Sequence, residues 1–309
     1  MKVLVSTKGM EREEWLSWRR MGIGGSDASV IAGVNPYRSV FQLWKEKTGQ
    51  GSLEEQGNEY THFGSVLEPV IKKEFTRRTG LKVRNRYAIL QSGEHPFMLA
   101  DVDGFLYEGG KLCVFEAKTA SAYKREAWEK GVPEEYLYQV QHYMAVTGAE
   151  KAYIAALVGG NHFLYHEVMR DEAMIHRIIQ MEQDFWVNHV LPMVEPKADG
   201  SGATRDYLDG AYPGSNGKTV ELPAEASALF EQYDALSREL DELKGKKEAV
   251  TNQMKSYLKG NEKGVLGDRQ VTWKTYTTTT IDRKRLEQEE KELYDKYSVK
   301  NQYRRLSVA

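Results

Sequence analysis

Two adjacent glycines constrain this chain more than any other pair of residues. Gly109 and Gly110 stand between the apolar runs of 97–107 and 111–119. Both central residues of a type I′ turn need positive φ, which glycine adopts without strain, so the pair predicts a tight two-residue hairpin. With Glu108 opposite Lys111, residues equally far from the turn face each other, which sets Asp103 opposite Glu116 and Asp101 opposite Lys118. Side chains alternate along a strand, so these four would share one face of the hairpin. Facing carboxylates repel, and on strands rich in Phe, Leu and Val they need a cation, either Lys118 or a divalent metal. The plain structural alternative is a solvated face with a Lys118–Asp101 cross-strand pair.

At 309 residues the chain is long enough for one large core and an appendage. A net charge of -2 with 28% charged residues excludes a global basic field, so any nucleic-acid contact must come from local patches. Cys113 is the only cysteine, which excludes an intramolecular disulfide and any four-cysteine zinc or iron–sulfur site. The apolar part of Met1-Lys-Val-Leu-Val is too short for a signal peptide, and no run has the length of a membrane span, so a cytoplasmic protein without membrane contact is expected. His142, His162 and His166 match no compact zinc-ligand spacing.

In chain order, 11–20 reads as a short helix leading into the glycine-rich Met21-Gly-Ile-Gly-Gly-Ser26-Asp27. A flexible loop feeding a helix start, with Arg19 and Arg20 just upstream, suits a phosphate, although Ser26 would also serve as a simple cap. A helix over 63–78 carries Val66, Leu67, Val70, Ile71 and Phe75 as its apolar stripe, with Glu68 beside it. Because Pro69 is favoured early in a helix, Glu68 reads either as an inward-pointing acid or as a first-turn acid. Strands follow over 82–90, 97–107 and 111–119, then a helix over 133–146 with Gln139 and Tyr143 beside its buried stripe. Strands over 152–158 and 163–170 and a helix over 171–190 complete the core. This order predicts an α/β fold of the α+β type, a mixed central sheet flanked by helices.

The composition shift over 197–219, rich in Gly, Asp, Ser and Ala, reads as a linker or long loop between a core at 1–196 and an appendage at 220–309. In that appendage Leu222, Ala226, Leu229, Tyr233, Leu236 and Leu240 open a four–three series that runs on to Tyr257, broken only by Lys247. That is a heptad seam on one long helix, or on two with a bend near Gly245. A short strand pair and a terminal helix over 282–297 follow. The arm is expected to dock a neighbouring subunit, a partner protein or DNA.

The spacing Asp103-(x)12-Glu116-x-Lys118 resembles the PD-(D/E)xK nuclease signature, with Val102 where Pro is frequent. With Arg20-Met-Gly-Ile-Gly-Gly-Ser26, Glu68 on a helix and Gln139-Val-Gln141-His-Tyr, five motifs stand in the order found in one group. Over residues 10–195 the chain resembles the phage lambda exonuclease group, and more closely the YqaJ-like viral recombinase family. The resemblance implies a restriction-endonuclease-like core and a Mg²⁺-dependent exonuclease, with Mn²⁺ able to substitute and one or two ions per site. It implies resection of linear double-stranded DNA from the 5′ end, a single-strand annealing protein as partner, and a ring of three or four subunits in a phage- or prophage-bearing bacterial host. Asp103, Glu116, the Ala117 carbonyl and Glu68 would then surround the metal, and Lys118 would orient or activate the attacking water. Gln141, or Gln139 beside it, would fix the nucleophile or scissile phosphate, and Arg20 or Arg19 with Ser26 would hold the 5′ phosphate. A structure-specific or restriction-type endonuclease on the same core is the alternative enzyme, and a non-catalytic DNA-end-binding scaffold the alternative without chemistry.

Overall fold

A computed structural model describes residues 1–50, 59–300 and 303–308. The chain divides into two compact units, Met1–Ala211 and Tyr212–Ala309. The first unit opens with β1 (Lys2–Ser6) and the helices α1 (Arg12–Arg20), α2 (Gly25–Ile31), α3 (Val40–Lys47) and α4 (Glu59–Thr79). The strands β2 (Ala88–Gln91), β3 (Leu99–Ala100), β4 (Gly104–Glu108) and β5 (Lys111–Ala120) follow. Two helices, α5 (Arg125–Lys130) and α6 (Glu134–Thr147), lead to β6 (Lys151–Val158) and β7 (His162–Met169). The unit closes with α7 (Glu172–Phe185), which continues as a π turn through Trp186–Val190, and with α8 (Gly202–Ala211).

The central sheet has the order β4-β5-β6-β7. Its β5–β6 pair is parallel and the outer pairs are antiparallel, so the sheet is mixed as expected. A parallel pair cannot be joined by a tight turn, and the α5–α6 segment makes the crossover. Successive side chains of β5 face opposite sides. Val114 packs with Val140 and Met144 of α6 and Ile175 and Ile178 of α7, whereas Phe115 packs with Ile71 and Phe75 of α4. The sheet is thus sandwiched between helices, and burying each such side chain contributes roughly 1.5–3 kcal/mol relative to exposure.

The β4–β5 hairpin has the predicted turn, with φ of +54° at Gly109 and +81° at Gly110. Its register pairs Glu108 with Lys111 and runs in step to Gly104 with Phe115. There the ladder stops, and the single strand expected over 97–107 is in fact two. β3 pairs with β2 in a separate antiparallel sheet, order β1-β2-β3, and the chain bends through Asp101, Val102 and Asp103 to change sheets. Gly104 sits at this bend because a Cβ there would lie 2.5 Å from Val83 Cγ1. A bridge between Arg84 and Phe105 covers the outer edge of β4 at the same point.

Two other expectations change. Pro69 lies in the middle of α4 rather than in its first turn, and only Ile71 and Phe75 of the predicted stripe are buried, while Val66 and Val70 are half exposed. Within the stretch 197–219, α8 is an ordered helix whose Tyr207 and Leu208 pack with Phe41 and Trp44 of α3.

The second unit holds α9 (Ala226–Leu258), the hairpin β8 (Lys263–Leu266) and β9 (Arg269–Thr272), and two short helices, α10 (Arg283–Glu289) and α11 (Lys291–Tyr297). The single terminal helix expected over 282–297 is broken at Glu290. α9 runs unbroken for 33 residues, through Gly245.

Candidate active site

The bend between β3 and β4, beside β5, gathers the acids. Asp103 no longer sits in a strand, and its Oδ2 accepts a hydrogen bond from the Ala117 backbone N–H at 2.8 Å, which keeps it beside Glu116. Glu116 is buried, at 3% exposure. Its Oε1 accepts from two donors, Lys118 Nζ at 2.7 Å and Gln139 Nε2 at 2.7 Å. Its Oε2 is buried with no hydrogen-bond partner among the described residues. One carboxylate oxygen is therefore held by the protein, while the other is out of water with nothing to bind.

The electrostatics match this geometry. Burial, then the negative charges of Glu116 and Glu68, push the Asp103 carboxyl well above the usual carboxylate range. Burial likewise raises Glu116, against the opposing pull of Lys118. Burial works against the Lys118 ammonium, but Glu116 and Asp103 outweigh it and hold its pKa above the ordinary lysine value. The ammonium also lies over the Tyr136 ring at 4.9 Å. Clustered acids with raised pKa values in a cleft mark a functional site more often than a structural one.

Glu68 reaches the same place from α4, lining two adjoining clefts of about 400 and 720 Å³ together with Trp15, Arg19, Asp103 and Glu116. Lys72, one helical turn along, is bonded to the Glu68 carboxylate and donates to Asn85 Oδ1 at 2.8 Å and to the Asp103 carbonyl at 2.6 Å. Its spacing from Glu68 is visible in the sequence, but its bond to the Asp103 backbone depends on the bend.

The glycine-rich turn approaches from the opposite wall. Gly25 packs against Tyr143 so closely that a Cβ would lie 2.4 Å from its ring. This brings Ser26 and Arg19 to the cleft, with Arg19 Nη2 donating to Ser26 Oγ at 3.1 Å and the guanidinium lying over Trp15 at 4.7 Å. Of the two arginines, Arg19 lines the cleft and Arg20 does not. Asp27, fully buried next to Ser26, is ion-paired with Lys47 at 2.7 Å and with Arg38 at 3.2 Å. Burial opposes its charge, but Lys47, Arg38 and Arg19 overcome that and hold Asp27 below the usual carboxylate range. Lys47 also donates to the Arg19 carbonyl at 2.9 Å, so a buried charge cluster props the loop from behind. The clue in the sequence was a lone Asp after Ser26, and its partner lies on a different helix.

Two assigned positions are displaced. Asp101 does not face Lys118, because the hairpin register has ended before it. Its Oδ2 accepts from Trp15 Nε1 at 2.6 Å, while Lys118 turns to Glu116. Gln141 points away from the acids, donating to the Met169 carbonyl at 2.8 Å and accepting from the Asp171 N–H at 3.0 Å, which ties α6 to the β7–α7 junction. Gln139 is the glutamine at the acids, and it also donates to Tyr143 OH at 3.0 Å, which in turn donates to the Asp101 carbonyl. The histidines stand apart from one another. His142 is buried against Glu182, and His166 faces the Trp128 carbonyl.

The residues fit a hard divalent cation. All the donors are oxygens, and the buried bare Glu116 Oε2 is one that an ion would satisfy. Among the described residues no three His, Cys, Asp or Glu side chains stand close enough to enclose an ion by themselves.

Comparison with known proteins agrees with this reading of the fold. The YqaJ protein of Bacillus subtilis (strain 168), described as uncharacterized, is 40% identical over 311 residues, covering 99% of this chain and 97% of its own. The model of the YqaJ-like viral recombinase domain matches residues 14–150. The chain belongs to the YqaJ-like viral recombinase family. Among solved structures, the complex of LHK-Exo with dAMP aligns with a TM-score of 0.50 at 20% identity, covering 64% of this chain and 97% of that one. LHK-Exo crystallised as an alkaline exonuclease from Laribacter hongkongensis gives 0.48 at 18% identity, with the same coverage. A phage related exonuclease from Haemophilus somnus 129PT gives 0.44 at 15% identity, covering 58% of this chain and 99% of its own. The mixed sheet flanked by helices is thus a fold that this chain shares with LHK-Exo.

Proposed function

We propose that this chain is a metal-dependent DNA exonuclease that hydrolyses phosphodiester bonds at the Asp103–Glu116–Lys118 cluster. The observation that carries the reading is Glu116, with one oxygen fixed by Lys118 and Gln139 and the other buried and bare. A scaffold gains nothing from a buried unsatisfied carboxylate oxygen, which costs about 1–3 kcal/mol when left without a partner. Asp103 and Glu116, with Glu68 and the Ala117 carbonyl near them, are the groups that would hold Mg²⁺ or Mn²⁺. Such an ion, when bound, stabilises the charge of the pentacovalent phosphorus and acidifies a water. The protein's part is positioning. Gln139 and Lys118 hold Glu116 in place, and the Lys118 ammonium orients the attacking water beside the acids. Glu68, fixed by Lys72, lines the same cleft as a supporting acid.

Arg19 and Ser26, on the same cleft, would hold a terminal 5′ phosphate, so the enzyme starts at an end and resects 5′ to 3′, leaving a 3′ single strand. The fold shared with LHK-Exo supports the exonuclease reading. A ring of three or four subunits and a single-strand annealing partner in the host cytoplasm would follow for a recombination enzyme of this family.

The test is digestion of linear duplex carrying 5′-phosphate or 5′-hydroxyl ends, with Mg²⁺ or with EDTA, beside covalently closed circles. Faster loss of 5′-phosphorylated ends that Arg19→Ala abolishes is the expected result. Equal cutting of closed circles would replace the reading with an endonuclease.

A further inference from the structure

The helix α9 carries a feature that the nuclease cleft does not explain. Its heptad seam is in the open, with Leu229 at 66%, Leu236 at 64%, Leu240 at 53% and Leu243 at 54% exposure. A row of leucines at this exposure over residues 229–243 of a 33-residue helix is a surface awaiting a second helix. Gly245, the weakest helix former in the middle of α9, falls on the outer face, so the seam is not interrupted there.

The charges on the helix say which second helix fits. Residues 226–242 carry five acids, Glu231, Asp234, Glu239, Asp241 and Glu242, against the single base Arg238. Residues 243–258 carry four bases, Lys244, Lys246, Lys247 and Lys255, against the single acid Glu248. The helix is therefore acidic in its first half and basic in its second. A duplex of phosphates would meet repulsion along the first half, whereas a second α9 running the other way meets the opposite sign along its whole length. A parallel copy would set acid on acid and base on base.

The seam has the same preference. Antiparallel packing sets a positions against d positions. Centring two copies between Asp241 and Glu242, half a residue from the midpoint of α9, pairs Leu240 with Leu243 of the second copy, Tyr233 with Val250 and Leu229 with Met254. Every seam residue of the helix finds a seam residue, and Glu239 comes beside Lys246 of the second copy. Lys247, the one charge in the seam, would face another Lys247 in a parallel pair. In the antiparallel pair it faces Leu236, along which its methylene stem can lie while the ammonium reaches water.

We propose that α9 is a self-complementary arm that pairs two copies of this chain in an antiparallel coiled coil. The contact is isologous, the same surface on both copies, so each arm is saturated by one other arm, and within the proposed ring of three or four subunits the contact would be additional to those that close the ring.

Cross-linking of the full chain tests both the pairing and its direction. The double variant Leu236→Cys/Lys247→Cys joins into a covalent dimer on oxidation, because each cysteine meets its counterpart on the other copy. Within one helix the two are about 16 Å apart, too far for a bridge. The single variant Lys247→Cys stays monomeric on the same non-reducing gel. Dimerisation of the Lys247→Cys single variant would overturn the antiparallel direction, and no covalent dimer from either variant would overturn the pairing. A charge-reversal series gives an independent reading by sedimentation. Glu239→Lys alone weakens association about tenfold, and Glu239→Lys/Lys246→Glu restores it, whereas weakening by both to the same degree contradicts the assigned register.

Discussion

The nuclease cleft and the α9 arm break the ordinary rule of burial in opposite directions. At the cleft, carboxylates are taken out of water, with Glu116 at 3% exposure and an oxygen left without a partner. On the arm, leucines and other apolar seam residues stand in water along most of a helix. Buried polar groups and exposed apolar rows are the informative exceptions in a folded chain. The partner proposed for the acids is a cation, and the one proposed for the arm is a second helix. The two regions also differ in how they are built. The cleft draws on α1, α2, α4, the β3–β4 bend, β5 and α6, whereas the arm is one element that a heptad pattern specifies by itself.

That contrast predicts unequal responses to substitution. Glu116→Ala and Lys118→Ala should reduce nucleolysis by about 10²–10³-fold or more, the usual loss when one group that stabilises developing charge is removed. Rates on labelled linear duplex measure it, and full activity in either variant would place the chemistry elsewhere. The two glutamines come next. Gln139→Ala should lower turnover by roughly tenfold or more while leaving the fold intact, since it loses a hydrogen bond to a charged catalytic group. Gln141→Ala should cost about 1–3 kcal/mol of stability through the unpaired Asp171 N–H and Met169 carbonyl, with the folded fraction still active. Denaturant melts beside rate measurements separate the two.

The cleft was partly legible in the sequence. Gly109 and Gly110 fixed a local turn, and the register it dictates holds from Glu108 to Gly104. The pairing of Asp101 with Lys118 failed because the ladder ends where Gly104 packs on Val83, a contact between segments far apart in the chain. Gln139 and Gln141 were hard to separate because both flank the same buried stripe of α6. Only the packing of α6 against β5 on one side and the β7–α7 junction on the other decides which one reaches the acids. The support of Arg19 by Asp27 and Lys47 was hidden for the same reason. The arm, needing only helical periodicity, was legible almost in full: α9 is the one long helix of the two readings, and it differs from expectation in starting at Ala226 and not at Leu222.

Smaller effects sharpen the comparison on stability. Asp103 and Glu116 have folded pKa values above their unfolded ones, so the folded state holds protons that the unfolded state releases. The metal-free protein should therefore lose stability as pH rises from about 4, the unfolded carboxylate range, through the raised values. Asp103→Asn, whose amide oxygen can still accept from Ala117, should raise the metal-free melting temperature on the alkaline side of that range and remove the increase that Mg²⁺ gives the wild type. Thermal melts across pH with and without the ion measure both. Smallest of all, Leu236→Ala on the arm should change monomer stability by no more than about 0.5 kcal/mol at high dilution. Leu106→Ala in the core should cost about 2–5 kcal/mol. A large loss for Leu236→Ala at high dilution would mean that the arm is already covered within one chain.

The most direct test of the central claim is release of nucleotides from uniformly labelled linear duplex by wild type and Glu116→Ala, with Mg²⁺ and with EDTA. Release by the wild type with Mg²⁺ alone, absent in EDTA and absent in Glu116→Ala, is the predicted result. Release that persists in EDTA, or in Glu116→Ala at the wild-type rate, would contradict the assignment of this cluster as the catalytic centre.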